Sequence, residues 1–102
     1  MASLPLFLHP DARMDALDAY DWYCQRSQQA ANAFQEELRE GGRAIEHSPE
    51  LWPRYLSGTR RYVMKRFPFV VVYRVTRERI EIVAVAHGRR KPGYWKRRLK
   101  PD

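Results

Sequence analysis

The sequence predicts an α+β fold in which a helical hairpin packs on a small, mainly antiparallel β-sheet. In the first half, residues 11–25 and 28–46 place apolar side chains at helical spacing. In the second half, residues 60–87 contain the longest apolar and β-branched runs of the chain, separated by short polar links suited to hairpins. The expected order is β-α-α-β-β-β, because one antiparallel meander on a helical hairpin buries both apolar surfaces.

A chain of 102 residues is expected to form one domain over residues 1–102, with residues 88–102 as a basic C-terminal tail. The single Cys24 excludes an internal disulfide and any paired-cysteine motif, which fits a reducing, cytoplasmic location. The apolar segment from Leu4 to Leu8 is too short for a signal peptide, and no apolar run reaches the length of a membrane span. We therefore expect a cytoplasmic protein with no membrane partner.

The N-terminal region is predicted to form a strand and then a helix. Residues 3–8 alternate weakly and predict a short strand, in which Pro5 favours an edge position or a late strand start because proline donates no ladder hydrogen bond. Residues 11–25 follow a helical period. The spacing predicts an inner stripe of Ala16, Leu17, Tyr20, Tyr23 and Cys24, with Asp15, Asp18 and Asp21 facing outward.

A second helix is predicted over residues 28–46, with Ser27 as its N-cap and Ser48-Pro49 after its end. Gly41-Gly42 lies inside it, at a cost of about 1 kcal/mol per glycine relative to alanine. Either close packing against the sheet requires these small residues, or the helix bends or breaks there. The expected inner face consists of Ala31, Phe34, Leu38 and Ile45.

Three strands are predicted over residues 60–67, 69–76 and 79–87. The middle one is almost continuously apolar, as expected of a strand buried on both faces. In the last one, simple alternation places Ile80, Ile82, Ala84 and Ala86 on one face and Glu81, Val83, Val85 and His87 on the other.

Charge is distributed unevenly along the chain. Residues 1–50 carry nine acidic and four basic residues, a net charge of −5, whereas residues 51–102 carry fifteen basic and three acidic residues, a net charge of +12. This asymmetry indicates a polyanionic partner for the second half, either nucleic acid or an acidic protein segment. A solvated basic face without a function is the alternative.

No metal or cofactor is expected. The sequence has no glycine-rich phosphate loop, HExxH motif, GxSxG motif or paired cysteines, and its three histidines are too scattered for a zinc site. Positive charge is concentrated instead in residues 60–66 and in the segment after the last strand. The basic residues there are Arg60, Arg61, Lys65, Arg66, Arg89, Arg90, Lys91, Lys96, Arg97, Arg98 and Lys100.

His87 is the candidate for acid–base chemistry. It ends the last predicted strand, at the rim of the sheet, where Arg61 or Lys65 could lie beside it. A metal-free ribonuclease needs a base for the 2′-hydroxyl, cations for the phosphate and an acid for the leaving oxygen. These side chains and Arg89 could supply those roles. The alternative is that His87 is a structural residue of the rim.

Tyr94 and Trp95 lie among the cations of the tail. Aromatic rings beside cations suit the binding of bases and phosphates. The alternative is that the two rings anchor the tail to the core. Spacing alone does not decide between a binding and a structural role.

Several short segments, none specific alone, occur in an order that resembles a known family. They are His9-Pro10-Asp11-Ala12, Trp22-Tyr23, Ser48-Pro49, Arg60-Arg61 to Phe67-Pro68-Phe69, Val72-Tyr73-Arg74-Val75, Val83-Ala84-Val85-Ala86-His87, and Arg89-Arg90 with Tyr94-Trp95. Together they resemble the RelE/ParE superfamily of bacterial toxins from type II toxin–antitoxin systems, of the plasmid-stabilisation type, over nearly the full chain.

The resemblance implies a compact toxin that inhibits growth when free. It also implies a cognate antitoxin, which lays an acidic, partly disordered segment over the basic groove. RelE-like members cut messenger RNA on the ribosome. If this chain is such an enzyme, it is a metal-free, ribosome-dependent endoribonuclease, and the resemblance assigns the catalytic roles to Arg61, Lys65, Arg89 or Arg90, and Tyr94, with His87 as a further candidate.

One position departs from the RNA-cleaving pattern. That pattern has an arginine three residues before the strand tyrosine, whereas this chain has Val70 three residues before Tyr73. The departure, the long helical hairpin and the Phe67-Pro68-Phe69 turn favour ParE-type members, which poison DNA gyrase. RelE-like cleavage is the alternative, and a non-toxic basic module that binds nucleic acid is a further one.

Overall fold

Two helices lie on one face of a four-stranded sheet in a computed structural model that describes residues 3–101. Residues 1, 2 and 102 of the expected domain and tail lie outside the described residues. None of the helices in the described part of the chain is long and apolar enough to cross a membrane. The elements are β1 (Leu6–Leu8), α1 (Pro10–Cys24), α2 (Gln28–His47), β2 (Arg60–Val63), β3 (Phe69–Val75) and β4 (Ile80–His87).

The sheet has the strand order β1-β4-β3-β2. β2, β3 and β4 form the expected antiparallel meander, and β1 pairs in parallel with β4 at one edge. The prediction of a helical hairpin on a mainly antiparallel sheet is therefore confirmed. Pro5 immediately precedes the edge strand, and its carbonyl oxygen accepts a hydrogen bond from Ile80 N–H at 2.9 Å.

Both faces of the sheet are covered, so β3 is buried on both sides as predicted. Phe69, Val71 and Tyr73 face the helices, where they join the larger apolar core with Phe34 and other helical residues. The opposite face carries a smaller core, formed by Val72, Val83, Ala84 and Trp95. The tail thus closes the second face of the sheet, because Trp95 is only 1% exposed.

A β-bulge at Val83 changes the face of the sheet on which the side chains at the end of β4 lie. Val72 pairs with Ala84, but the next residue of β3, Tyr73, pairs with Ile82, so Val83 is an extra residue in β4. The simple alternation predicted for residues 79–87 was therefore wrong beyond Val83. Val85 lies with Ile82 in the core beneath the helices, and Ala84 lies in the core beneath the tail.

The predicted inner stripe of α1 was wrong in part. Ala12 and Ala19 are the buried residues of the helix, whereas Leu17 is 44% exposed. Asp15, predicted to face outward, turns inward towards β4, where its carboxylate accepts a hydrogen bond from Val85 N–H at 3.1 Å. Small alanines let the helix approach the strand closely, and hydrogen-bond donors compensate for the burial of the carboxylate.

The structure settles the role of the two glycines in α2. The helix runs unbroken from Gln28 to His47, and Ser27 caps it by accepting a hydrogen bond from Ala30 N–H at 3.1 Å. A Cβ atom on Gly41 would lie 2.9 Å from Cε1 of the buried Tyr62 ring, whereas one on Gly42 would meet only Leu6 at 3.7 Å. Close packing against β2 therefore requires Gly41.

β2 ends at Val63, four residues before the predicted end. The backbone N–H groups of Lys65 and Arg66 donate to the carboxylate of Glu37 instead of to a neighbouring strand. Glu37 is 3% exposed and was not predicted to be buried. It lies on the buried stripe of α2, three residues after Phe34, and fixes the turn between β2 and β3.

The hairpin between β3 and β4 carries an ion-paired carboxylate. Glu81 accepts hydrogen bonds at 2.8 Å from Arg74, its cross-strand partner, and from Arg79. Burial alone would raise the pKa of Glu81, but the two arginines outweigh this effect and hold the pKa below its usual value of 4.5. The pair therefore stabilises the fold at neutral pH.

Candidate functional site

The cleft of about 460 Å³ between α1, the end of β4 and the start of the tail is the candidate site. α1 supplies one wall, β3 and β4 supply the floor, and the segment after β4 supplies the other wall. The bulge at Val83 creates this arrangement, because it turns Val85 and His87 towards the helices. The lining residues are Asp15, Asp18, Ala19, Trp22, Tyr23, Pro68, Phe69, Val85, His87, Arg89 and Arg90.

Three side chains, Asp15, Tyr94 and Arg98, join the walls at one end of the cleft, and we refer to them as the latch. Arg98 donates to the two carboxylate oxygens of Asp15 at 2.7 and 3.2 Å, and Tyr94 Oη–H donates to the same carboxylate at 3.1 Å. Arg98 also donates to Val83 O at 3.0 Å. The latch therefore holds the tail against α1 and against the bulge of β4.

Electrostatic effects match this geometry. Burial lowers the pKa of Arg98, but the adjacent Asp15 carboxylate more than compensates and raises it, so the guanidinium stays charged although it is only 8% exposed. Burial, followed by the charge of Asp15, raises the pKa of Tyr94 to about 12. Tyr94 is therefore a neutral hydrogen-bond donor at physiological pH.

His87 lies at the end of β4 and faces the cleft. Its ring meets Phe69 edge to face at 5.0 Å, and its Nδ1 atom accepts a hydrogen bond from Arg89 N–H at 3.0 Å. A neutral ring that accepts at Nδ1 carries its proton on Nε2. In this state His87 can donate a hydrogen bond from Nε2, but it cannot accept a proton there.

Four of the six candidate residues lie together in and beside the cleft. His87, Arg89 and Arg90 line it, and the Arg90 guanidinium stacks on the Tyr94 ring at 3.8 Å. Tyr94 in turn belongs to the latch. The sequence thus identified the basic wall of the cleft, while the roles of these residues in catalysis stay a prediction.

The other two candidates, Arg61 and Lys65, lie elsewhere. Arg61 pairs with Val72 on the tail-covered face, whereas His87 pairs with Phe69 on the helix face, so the expected proximity of Arg61 to His87 was wrong. The bulge at Val83 is the physical reason for the face of His87. Lys65 follows β2 in the turn held by Glu37, with its side chain exposed.

The basic surface on the tail side of the sheet is smaller than the sequence indicated. Arg61 lies over the Tyr55 ring at 4.8 Å, and Tyr55 packs near Trp95 with ring centroids 6.0 Å apart. Trp95 is an anchor of the tail, which confirms the structural alternative for this residue. Arg98 was counted among the surface cations, but it is buried in the latch.

Sequence reasoning missed three residues of the α1 wall, Asp15, Asp18 and Trp22. Trp22 is 52% exposed and was noted only for the family resemblance. The sequence did contain a pattern that could have identified this wall. Asp15, Ala19 and Trp22 recur at spacings of four and three and so share one helical face. Within residues 3–101, no three His, Cys, Asp or Glu side chains converge as metal ligands.

The comparisons with known proteins point to one family. The family model described as the ParE toxin of the type II toxin–antitoxin system parDE matches residues 6–92. A solved chain titled as the chromosomal ParDE toxin–antitoxin system from P. aeruginosa superposes with a TM-score of 0.73. The match covers 83% of this chain and 96% of that chain at 22% identity, which shows a common fold. No curated protein sequence gives a significant match.

The family match covers most of the chain, including both helices, all four strands and the cationic wall of the cleft. It confirms the RelE/ParE resemblance and selects its ParE branch. The chain therefore belongs to the ParE toxin family of type II toxin–antitoxin systems.

Proposed function

We propose that this protein is a growth-inhibiting toxin that acts in the cytoplasm on DNA gyrase and is neutralised by a cognate antitoxin with an acidic segment. Membership of the ParE family supports the toxin role. The choice of gyrase over messenger RNA rests on Val70.

The surroundings of Val70 are apolar. Val70 pairs with Val63 of β2 and with Ala86 of β4, and it packs against the core beneath the tail. A strand cation at this point would stabilise the charge that develops on a cleaved phosphate. Three neighbouring apolar side chains provide no such stabilisation, which favours a target other than the phosphodiester backbone of RNA.

The positions of the catalytic candidates agree with this preference. Arg61 and His87 lie on opposite faces of the sheet, so a single phosphate cannot contact both side chains. His87 Nδ1 accepts a hydrogen bond from Arg89 N–H, so one of the two ring nitrogens that a general base could use is already engaged. A role in recognition fits these side chains better than a role in RNA cleavage.

Charge supports an acidic antitoxin segment. The chain carries a net charge of +7, and the half that contains β2, β3, β4 and the tail is strongly basic. Arg89 and Arg90 are exposed, and the tail continues with the exposed Lys91 and Lys96. Opposite charge on a partner would accelerate association, and like charge on a wrong partner would disfavour binding.

The decisive experiment induces the chain alone in bacterial cells and compares two readouts. We expect gyrase-linked DNA breaks and intact messenger RNA, and we expect purified protein to inhibit supercoiling by gyrase. Cuts in messenger RNA at the ribosomal A site with intact DNA would replace this proposal with ribosome-dependent cleavage. Normal growth, combined with salt-dependent nucleic-acid binding, would favour the non-toxic module.

Matched variants distinguish specific recognition by Arg89 and Arg90 from an effect of net charge alone. Arg89→Ala and Arg90→Ala should weaken antitoxin binding or toxicity, because both guanidinium groups lie on the exposed wall of the cleft. Arg13→Ala removes another exposed cation, which lies on α1 outside that cleft, and should change neither property. Equal effects of all three variants would indicate that only net charge matters.

A further inference from the structure

Two arginines lie directly opposite each other at the outer edge of β2. Arg54 and Arg60 form an isolated antiparallel bridge, and the hydrogen bonds that hold it, at 2.8 and 3.0 Å, join the residues on either side of the pair. In a pair of this kind the Cα atoms lie about 4.5 Å apart, and both side chains leave the strands on the same face. Like charges in directly opposite positions destabilise a sheet, so this arrangement requires a compensating interaction.

No carboxylate within residues 3–101 compensates these two charges. The ion pairs of the described chain, at N–O separations up to 4.0 Å, involve neither Arg54 nor Arg60. Arg54 is exposed, whereas Arg60 is half-buried and donates from Nη1 to Trp52 O at 2.7 Å. A carbonyl oxygen carries no full charge, and this bond uses one of the five N–H groups of the guanidinium. It therefore holds Arg60 in place without neutralising it.

A strained turn brings the two arginines together. Ser57 has φ 56° and ψ 42°, and Gly58 follows with φ 75°. The turn directs the chain back on itself, so that Tyr55 N–H donates to Thr59 O at 2.8 Å. Ser57 is the one non-glycine residue with positive φ in the described chain. Backbone strain of this kind concentrates at binding sites, where the surrounding structure maintains it.

The two arginine side chains line an open recess of about 430 Å³, a volume within the range of small-molecule sites. The other lining residues are Glu50, Tyr55, Gly58, Thr59 and Val75. A Cβ atom on Gly58 would meet no heavy atom within 4 Å, so the recess is open beside the turn. It shares no lining residue with the cleft between α1 and the tail.

The charges of the recess favour a doubly charged anion. Glu50 is exposed and lines the same recess, so its carboxylate opposes the two guanidinium groups only in part. The planar guanidinium donates pairs of hydrogen bonds to phosphate oxygens. A phosphate monoester carries nearly two negative charges at pH 7, which match the two arginines. A phosphodiester carries one charge per phosphate and matches the pair less well.

We propose that Arg54 and Arg60 bind a dianionic phosphate group, supplied either by inorganic phosphate or by a mononucleotide. Each guanidinium donates to phosphate oxygens, and the bound anion removes the repulsion between the two cations. Because the recess is separate from the cleft, phosphate binding here does not depend on the proposed function.

The test titrates the full chain with sodium phosphate, and with sodium chloride at matched ionic strength as the reference. The backbone amide signal of Gly58 in two-dimensional NMR reports on the recess, and that of Gly93, in the cationic tail, is its control. We expect a saturable shift of Gly58 with phosphate and a response to chloride that is at least about 10-fold weaker. Gly93 should change only gradually with either salt.

Two further ligands identify the source of the phosphate. Tighter binding of AMP than of inorganic phosphate would identify a mononucleotide as the ligand, whereas equal affinities would identify phosphate itself. Adenosine, which lacks the phosphate, should leave the Gly58 signal in place. A shift with adenosine as large as that with AMP would overturn the proposal, because the arginines would then not be the binding groups.

Matched variants test the charges of the recess. Arg54→Gln should weaken phosphate binding by about 10-fold, because one of the two guanidinium groups is lost. Arg77→Gln removes another exposed cation, in the turn between β3 and β4 outside the recess, and should have no effect. Glu50→Gln should strengthen binding by about 3-fold, because it removes a carboxylate that repels the anion.

Thermal unfolding distinguishes a binding site from a structural pair. In phosphate-free buffer Arg54→Gln should raise the melting temperature, because it removes the contact between like charges. Added phosphate should raise the melting temperature of the original chain more than that of the variant, since a ligand stabilises the state that binds it.

Parallel, non-saturating shifts of Gly58 and Gly93 would overturn the proposal, because phosphate would then act only as a counterion of the whole basic surface. Unchanged binding after Arg54→Gln would also overturn it. So would weaker binding after Glu50→Gln, since Glu50 would then organise the recess rather than repel the anion. A lower melting temperature of Arg54→Gln in phosphate-free buffer would show that the arginine pair is a structural contact, and the proposal would fail.

Discussion

Removal of the partly buried Asp15 carboxylate should strongly destabilise the protein. Asp15→Ala leaves Val85 N–H and Tyr94 Oη–H without their acceptor, and it leaves the Arg98 guanidinium buried without its counterion. Breaking a buried ion pair by removing one partner costs about 3–5 kcal/mol. Small domains have about 5–15 kcal/mol of total stability, so the loss should be large.

A double-mutant cycle isolates the ion pair. Arg98→Met keeps much of the apolar stem of the side chain but removes the charge, and Asp15→Ala combined with Arg98→Met leaves no unpaired buried charge. We expect the double variant to be more stable than the sum of the two single losses predicts, with a coupling free energy of about 1–3 kcal/mol. The free energy of unfolding is measured by urea titration monitored by circular dichroism.

Asp11 provides the control for this cycle. Its carboxylate lies 3.8 Å from Arg98 Nε and is about half exposed, so Asp11→Ala should cost less than about 1 kcal/mol. The reasoning would be refuted by a loss below about 1 kcal/mol for Asp15→Ala, or by strictly additive effects of Asp15→Ala and Arg98→Met. Either result would mean that the tail does not depend on the latch.

Further substitutions test the packing and the pH dependence of the fold through the free energy of unfolding. Gly41→Ala should lower it by about 1–3 kcal/mol because the new methyl group meets the Tyr62 ring, whereas Gly42→Ala should raise it by up to about 1 kcal/mol through helix propensity. Burial raises the pKa of Tyr73 to about 12, above its usual value of 10.0, so this contribution to stability is complete below pH 10 and is lost as the pH rises towards 12. Urea titrations from pH 8 to 12 should show this decline, and Tyr73→Phe should reduce it. Because the pKa of Glu81 is lowered, its ionised carboxylate stabilises the fold above pH 4.5, and this stabilisation is lost as the pH falls below that value. Glu81→Gln should therefore destabilise the protein at pH 7 more than at pH 3.

The sequence was sufficient for the fold because its strongest patterns are the apolar runs and the helical periods. The meander from β2 to β4 and the two helices follow from these patterns, since each element has only one way to bury its apolar side. The predicted ends of the helices and strands were less accurate. β2 stops at Val63 because a buried glutamate on α2, Glu37, accepts the following backbone N–H groups, a tertiary contact that local patterns do not contain.

The candidate site was predicted only by its cations. Arg89 and Arg90 stood out as charges, but Val83, Ala84 and Val85 are all apolar, so neither alternation nor composition reveals which of them is the extra residue of a bulge. Because the predicted strand contained no bulge, the predicted face of His87 was wrong. Asp15 was predicted to face solvent because its hydrogen-bond partners lie far along the chain, and the helical period of α1 contains no information about them.

The long separation between the latch residues also affects the order of events during synthesis. Asp15 precedes Arg98 by 83 positions, so α1 leaves the ribosome long before the side chain that pairs with it. Contacts between such distant residues form late, because the intervening chain must first be ordered. We expect ribosome-arrested chains that end before Tyr94 to be cleaved by protease within α1, and released chains that contain Arg98 to resist cleavage. On this view the nascent chain has no finished cleft until the tail has been translated.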